Sequence, residues 1–373
     1  MKPLGLNRKQ EQGLKIAVAR FRNNERYTVI SGYAGSGKAQ PIDTVIPTPI
    51  GFKKLGDIEI GDYVFDRNGK QTKVLGVYPQ GLKQVYKVTL ADGRETYCAP
   101  DHLWTCYTEN DELVTLTAQE ILESGLTYAI PANKPVEYPW KKFNSDPYNI
   151  GFFAIQDNYR IPAQYKTGSI EQRTELIRGI LDASNIFFEI EFILKDFNQN
   201  LLKDIQEVLF SLGCSSVLVD NCLKCDLHYL DKTPIKITAL NEEKEMVCIY
   251  VDNDEHLYLT NDYIVTHNTY LVKHIIAALG LYPEQVTYAA YTGRAAQVLK
   301  NYGCPNAITL HKLLYAPKIH KDGSYSFAYR KWSEEERETR KLIVVDEVSM
   351  VPKKIWDDLL NRNIHIIALG DPW

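Results

Sequence analysis

Residues Gly32-Tyr33-Ala34-Gly35-Ser36-Gly37-Lys38 carry a Gly-x4-Gly-Lys pattern, in which a Gly-rich loop turns its backbone amides toward phosphate. The pattern calls for a Ser or Thr next, because that hydroxyl holds Mg²⁺, yet Ala39 follows Lys38. The missing hydroxyl stands far downstream, in Thr266-His267-Asn268-Thr269-Tyr270. Joining Lys38 to Thr269 gives GYAGSGKTYLVKHIIAALG, a complete loop that runs into an amphipathic helix. Upstream, Tyr27–Ser31 is a β-rich run, and residues 7–24 space Leu14, Ile16, Ala17, Val18 and Phe21 close to one helix face, with Asn7 as N-cap. Strand, Gly-rich loop and helix is the context a phosphate cradle needs. Residues 39–268 interrupt it, and we expect this block to remove itself.

Downstream of Thr269 the rhythm is again β/α. Tyr270–Leu279 reads as a helix closed by Gly280, Val286–Tyr291 as a buried strand, and Leu342–Asp346 as an apolar strand ending in the adjacent acids Asp346 and Glu347. Such runs predict a doubly wound parallel sheet. The acids suit a nucleotide site, Asp346 to order the Mg²⁺ shell and Glu347 to polarise water. The polar stretch Tyr315–Lys341 is expected to be a solvated surface excursion, with a strand-separating pin as the alternative. At 373 residues, 45% hydrophobic and 24% charged, the chain predicts two or three ordinary globular domains, and a net charge of −4 neither requires nor excludes nucleic acid. No apolar run is long enough for a membrane and MKPLGLNRKQ is no secretory signal, so a soluble, cytoplasmic chain of phage or bacterial type without a membrane partner is expected. Six of seven cysteines, Cys98, Cys106, Cys214, Cys222, Cys225 and Cys248, fall between residues 39 and 268 and read as reduced thiols, with Cys222 and Cys225 in a turn.

Both ends of the 39–268 block are β-like: Ile42–Gly51, Leu55–Asp66, a hairpin of Gln84–Leu90 and Glu95–Ala99 around Gly93, then Met246–Val251 and 256–266. They predict a compact all-β unit assembled from the two ends. Pro49-Ile50-Gly51-Phe52 with Leu55-Gly56-Asp57 and Gly61-Asp62 resembles the first splicing block of inteins. Gly93 through Cys106, with Asp101-His102, resembles their second block, and Cys248 to Asn268, closing in His267-Asn268 before Thr269, resembles the last two. The resemblance implies the horseshoe-shaped Hint fold. Two departures stand out: Ala39 occupies the usual Cys or Ser position, and Ala99 stands where the second block carries Thr. A smaller intein class lacks the first nucleophile and uses a Trp, a Cys and a Thr at the positions held here by Trp104, Cys248 and Thr266. A rival reading makes Ala39 an engineered replacement that traps the precursor, and a second makes the block an inert insert in a motor.

The resemblance implies a reaction order needing no metal, cofactor or partner. Cys248 attacks the Lys38 carbonyl, His102 protonates the departing Ala39 nitrogen, Thr269 takes the acyl group, and Asn268 cyclises with help from His267. Thr266 is expected to hydrogen-bond Cys248, and Trp104 to fix its geometry by packing.

The middle of the block differs. A short helix at Ala118–Glu123 and an extended Tyr128–Pro131 are followed by Ser169–Asn185, which opens with a capping box (Ser169, Gln172), and by a second amphipathic helix, Asn198–Leu212. Leu176–Asn185 resembles the signature helix of LAGLIDADG homing endonucleases, and Tyr148–Asp157 a weaker first copy. The metal-holding acid positions are occupied by Ser184 and Gln156, with Asp157 reached by a one-residue shift, and the segment between the copies, Asn158–Gly168, is too short for a DNA-binding sheet. Two-metal cleavage therefore lacks its ligands, and a structural relic is expected.

Across both flanks, Leu6–Gln10, the Gly-rich loop, Tyr291–Ala296, Thr309–His311, Asp346–Met350 and Gly370-Asp371-Pro372 resemble superfamily-one DNA helicases of the RecD/Dda kind. That likeness implies ATP held by Gln10, Gly32, Gly35, Ser36, Gly37, Lys38, Thr269, Asp346 and Glu347, Mg²⁺ on Thr269 and Asp346, and single-stranded DNA near Thr292, Arg294 and His311. It also implies a chain that stops before the second motor domain. The expected organisation is multidomain: a RecA-like P-loop α/β domain (1–38, continued at 269–373), a Hint domain (39–135 and 236–268), and a small α+β LAGLIDADG-like insertion (136–235).

Overall fold

The structure, a computed structural model, describes residues 8–31, 39–187, 189–253, 255, 257–267, 271–301, 304, 306–319, 325–346 and 348–370. The chain divides into two compact units, one of Met1–Ser36, Leu75–Tyr78 and Thr269–Trp373, the other of Gly37–Val74 and Pro79–Asn268.

In the first unit a five-stranded sheet runs in the order Tyr27–Ser31, His365–Gly370, Leu342–Asp346, Val286–Ala290, Ile308–Thr309, and each pairing is parallel. Ile343, Val345, Ile366 and Ala368 are fully buried, which is why these strands read as unbroken apolar runs. Helices Arg8–Arg22, Leu271–Leu279, Gly293–Asn301 and Lys353–Leu360 complete the α/β alternation, and Gly280, at φ +66°, ends the second of them in the left-handed region. Because the strands are parallel, Ser31, Gly370, Asp346 and Ala290 finish on one edge, with Ser31 opposite Gly370 and Ala290 opposite Asp346. That edge is where open α/β sheets bind ligands. The stretch expected to be a solvated excursion forms an antiparallel hairpin, Tyr315–Ile319 with Tyr325–Tyr329, with Phe327 and Tyr329 exposed. Its anchor is Trp332, 4% exposed, whose indole N–H donates to the Leu313 carbonyl at 3.0 Å while Arg340 and Arg362 each lie 4.4 Å from its ring. A polar average hid one buried aromatic.

The second unit is built on an eight-stranded sheet. Its path is Tyr63–Phe65, Gln71–Leu90, Lys232–Val251, Tyr128–Pro131, Leu103–Tyr107, Leu113–Thr117, with Gln40–Pro41 on Lys232–Val251 and Glu95–Cys98 on Gln71–Leu90. Strands from both ends of the 39–268 block thus share one sheet. The strand Lys232–Val251 starts before the boundary expected at residue 235, and Val136 and Tyr138, assigned to the insertion by sequence, pack in a core with Phe65, Leu257, Tyr263 and Val265. The expected separation of insertion and splicing parts is therefore too sharp at both borders.

Between these strands, helices Pro147–Gln156 and Ile170–Ala183 cross in close contact. A Cβ at Gly179 would stand 2.0 Å from the Tyr148 carbonyl oxygen, and one at Gly151 2.0 Å from that of Leu176, so only glycine permits this approach. The capping box at Ser169 and Gln172 forms as read, and Asn198 caps helix Gln199–Ser211. A three-stranded antiparallel sheet, Glu191–Lys195, Cys222–Tyr229, Cys214–Val219, adjoins the helices and was not foreseen. Cys222 and Cys225 lie in a strand of this sheet rather than in a turn. Three residues apart in a strand, they point to opposite faces, which removes them as a chelating pair.

Candidate functional site

The ends of the 39–268 block converge through backbone register. Gln40–Pro41 pairs antiparallel with Lys232–Val251, Pro41 opposite Met246 and Gln40 opposite Val247, so the residues next to Ala39 and next to Cys248 are cross-strand partners. Ala39 is fully buried in a small core with Val85, Ala99 and Met246, and its carbonyl accepts from the Ala99 amide at 2.9 Å. Ala99, where the family pattern has Thr, thus contributes a backbone donor and a close-packed methyl.

His102 stands at the end of the turn that follows strand Glu95–Cys98. Its amide donates to the Ala99 carbonyl at 3.0 Å. The first amides of helix Ala118–Ser124 close the same turn, Ala118 donating to the His102 carbonyl at 2.8 Å and Gln119 to that of Pro100 at 2.9 Å. The helix forms where its capping box, Thr117 with Glu120, releases those amides from their own turn. The imidazole is fully buried, and its Nε2 lies 2.7 Å from Thr266 Oγ1. Trp104 packs on it with ring centroids 5.1 Å apart. The indole N–H has no acceptor of ordinary geometry among the described residues; the group it approaches is the Cys98 thiol, which burial raises well above the usual range and the indole pulls part-way back.

Thr266 and His267 lie on Val265–His267, which pairs with Leu257–Leu259, Tyr258 opposite Thr266 and Leu257 opposite His267. The sequence reading gave the Thr266 hydroxyl to Cys248; the structure gives it to His102, and the tryptophan expected to pack for Cys248 packs on His102 as well. The cause is direction: alternate residues of a strand face opposite sides, and Thr266 faces the histidine turn.

Around Cys248 are residues that sequence reasoning passed over. The thiol is buried, with the Ile249 carbonyl 3.7 Å from its sulfur. Tyr258 is its electrostatic neighbour, and burial first and Cys248 second push that phenol well above its normal value. The Tyr258 hydroxyl donates to Gln40 Oε1 at 3.0 Å, and Gln40 Nε2 donates to Thr96 Oγ1 at 3.2 Å and to the Tyr97 carbonyl at 3.3 Å. Gln40 adjoins Ala39, so this buried chain ties the upstream junction to the thiol's surroundings. The amide side chain of Gln40 next to the junction was the one available signal; Tyr258, inside an apolar strand, offered none. Lys38, Asn268 and Thr269, the junction residues, lie outside the described residues.

On the parallel sheet, Asp346 closes its strand half-buried at the ligand-binding edge, a position that suits an oxygen ligand for a hard cation. Gly32, Gly35, Ser36, Gly37 and Glu347 lie outside the described residues, and Gln10 lies in helix Arg8–Arg22. Thr292 Oγ1 accepts from the Ala295 amide at 3.1 Å, and Arg294 is exposed. His311, also exposed, has the rings of Tyr291 and Tyr315 at 5.8 and 5.7 Å.

At the foot of the crossed helices, Gln156 Nε2 donates to the Ala183 carbonyl at 3.3 Å, and Ser184 Oγ is buried without a partner among the described residues. Neither supplies a carboxylate. On the adjoining sheet, Glu191, Asp226 and His228 have potential ligand atoms within 4.8 Å of one another, but the His228 Nδ1 is already bonded to Asp226 Oδ1 at 2.9 Å.

Residues 266–373 match the family model described as an AAA domain. A replicative DNA helicase DnaB of Mycobacterium intracellulare is 22% identical over 373 aligned residues, covering 67% of this chain and 63% of that protein. A DnaB helicase of Mycobacterium leprae is 29% identical over 77 residues, 20% of this chain and 13% of that protein. The chain spans less than two thirds of the length of either relative. Segments 1–38 and 269–373 make up well under half of the chain, so an alignment over 67% of it runs deep into residues 39–268. Among solved structures, the gp41-1 intein is 20% identical, with a TM-score of 0.28, and is matched over 98% of its length by 62% of this chain. A DnaB intein from Synechocystis is 12% identical, with a TM-score of 0.30, over 98% of its length and 62% of this chain.

Proposed function

We propose that residues 39–268 are an intein of the class without a first nucleophile, set in the ATP site of a DNA helicase, and that its excision joins Lys38 to Thr269. The observation that carries this reading is the pairing of Gln40, next to Ala39, with Val247, next to Cys248, which brings the upstream junction to the strand of the thiol. The Cys248 sulfur attacks the Lys38 carbonyl carbon, and the Lys38–Ala39 bond breaks as His102 delivers a proton to the leaving nitrogen. The Thr266 hydroxyl, 2.7 Å from His102 Nε2, holds the ring for that transfer. Thr269 Oγ then takes the acyl group from sulfur, returning the thiol. The Asn268 side-chain nitrogen attacks its own carbonyl carbon, closing a succinimide and freeing the Thr269 amine with His267 beside it, and that amine takes the acyl group from its own oxygen as the new amide. Burial of the Ala39 carbonyl and both histidines keeps water, the competing nucleophile, away.

Ligation completes GYAGSGKT, and Thr269 and Asp346 would then hold Mg²⁺ through a hydroxyl and a carboxylate, donors that suit a hard cation. Bound Mg-ATP would supply the phosphoryl chemistry, and Thr292, Arg294 and His311 contact single-stranded DNA. The helicase names of the curated relatives and the AAA-domain match support such a host; its RecD/Dda character rests on the flank motifs. The crossed glycine helices support a LAGLIDADG-type ancestor for the middle of the block, now without nuclease activity, and incubation with Mg²⁺ and DNA carrying the intein-free junction should leave that DNA intact.

Mass spectrometry of freshly made protein tests the main reading. A ligated flank and a free 39–268 fragment are expected, and Cys248→Ala should abolish ligation. Normal ligation by Cys248→Ala, with no effect of Ala39→Cys, would show the assignment to be wrong; intact chain alone would favour a blocked precursor or an inert insert.

A further inference from the structure

The strand that carries Thr266 and His267 is held by a turn of unusual composition. Leu257–Leu259 and Val265–His267 are joined through Asn261–Tyr263, where the Ile264 amide donates to the Asn261 carbonyl at 3.1 Å. Asp262 has φ +51° and ψ +28°, and Tyr263 follows at φ +58°. Two consecutive left-handed residues make a type I′ turn, whose second central position is normally glycine. Here it is a tyrosine, 1% exposed, so something other than backbone preference keeps that side chain in place.

What holds it comes from the middle of the block. The Tyr263 hydroxyl lies 3.1 Å from that of Tyr138, and the guanidinium of Arg173, on helix Ile170–Ala183, sits 5.3 Å from the centre of the Tyr138 ring. Arg173 is fully buried and pairs with no carboxylate among the described residues; its nitrogens donate to the carbonyls of Gly168 and Val136 and to Ser211 Oγ. A buried charge is tolerated only when its donors are satisfied, and one of the three acceptors here, the Val136 carbonyl, belongs with the Tyr138 ring to the core that contains Tyr263. A second tie reaches the turn from the other side. Arg94 donates to the Asp262 carbonyl at 3.0 Å, is paired with Asp92 at 2.7 Å, and lies 4.4 Å from the ring of Phe210 on helix Gln199–Ser211. Helix Ile170–Ala183 is thus tied through this arginine to the core that holds the turn.

We propose that Arg173 and Tyr138 are positioning residues for release of the 39–268 block: through Tyr263 they fix the left-handed turn and so set His267 against Asn268. The inference rests on the splicing reading above, and it gives the relic helices a present role in cleavage at the downstream junction.

Two steps should be followed separately in the full chain, formation of the branched species joined through Cys248 or Thr269, and appearance of the free fragment ending in cyclised Asn268. Tyr138→Phe, which keeps the ring, and Arg173→Met, which keeps the length, should each slow the second step about tenfold, as for loss of one buried hydrogen bond, and slow the first, which depends on Thr266 of the same strand only through its bond to His102, by clearly less. The branched species should therefore accumulate. Equal slowing of both steps with a lowered melting temperature would mean a purely structural role and overturn the proposal, as would Tyr138→Phe cleaving at the unsubstituted rate. If the unsubstituted chain forms neither species, the splicing reading itself fails and this inference falls with it.

Discussion

Replacing Thr266 by Val removes one oxygen and changes almost no volume, so its effect isolates the hydrogen bond to His102. Both side chains are essentially fully buried and the contact is 2.7 Å, so water cannot take the place of the lost hydroxyl. A buried imidazole nitrogen left without its partner costs about 1–3 kcal/mol. If that amount falls on the transition state for proton delivery to the Ala39 nitrogen, cleavage at the upstream junction slows about 5- to 150-fold, at tenfold per 1.4 kcal/mol. If it falls on the ground state, the second unit melts several degrees lower. Precursor consumption, followed by mass spectrometry beside a melting curve, separates the two. Thr266→Ser keeps the hydroxyl and should retain most of the rate despite the lost methyl. Equal rates for Val, Ser and Thr at this position would refute the coupling of the hydroxyl to His102 chemistry, and a lower melting temperature with unchanged rate would reduce the bond to packing.

Gly179→Ala places a carbon 2.0 Å from the Tyr148 carbonyl oxygen and 2.9 Å from the Phe152 nitrogen, so the two helices must move apart. A loss of at least about 1–3 kcal/mol is expected, read as a lowered urea midpoint, and an unchanged midpoint would contradict the packing described. In the parallel-sheet unit, His365 accepts from the Thr28 hydroxyl at 3.1 Å and bonds the Glu25 carbonyl at 2.7 Å in the neutral form. Burial lowers its pKa below the ordinary 6.5, so its contribution is complete above that value and is lost as the pH falls. Melting temperatures between about pH 7.5 and 5 should drop, and His365→Gln should flatten that drop.

The legible parts of this chain were those whose physics is local. The buried parallel strands, the capping box at Ser169, the left-handed stop at Gly280 and the short helix after Thr117 all follow from residues within a few positions. Candidate residues stood out for another reason: His102, Cys248 and His267 are reactive types set toward the two ends of one block, and the fold brings His102 to Thr266, next to His267. Partners across the block were not legible. Thr266 went to Cys248 on paper and to His102 in the structure because strand register decides which side a hydroxyl faces, and register between segments separated by well over a hundred residues is not written in either one. The same limit hid Gln40 with Tyr258, and packing between a helix and a distant loop hid Arg173 with Tyr138; their members look like separate, ordinary core residues until the fold joins them.

The position of the block follows from that convergence. A segment inserted into a loop leaves its host able to fold only if its own ends lie close together. Here they are linked by two short routes: Ala39 to Ala99, His102 and Thr266 by hydrogen bonds, and Gln40 to Tyr258, which sits opposite Thr266. The host strand Tyr27–Ser31 and the helix Leu271–Leu279 are both formed with the block still present. The elements flanking the Gly-rich loop are therefore formed in the chain that still carries the block. Closeness of the ends would serve the proposed splicing equally, because in that reaction the acyl group passes from Lys38 to Cys248 and then to Thr269. In the proposed reaction one requirement, ends that meet, would make the block tolerable to its host and able to leave it, and the Thr269 hydroxyl that accepts the acyl group would become, after the O-to-N shift, the hydroxyl that the Gly-x4-Gly-Lys pattern calls for.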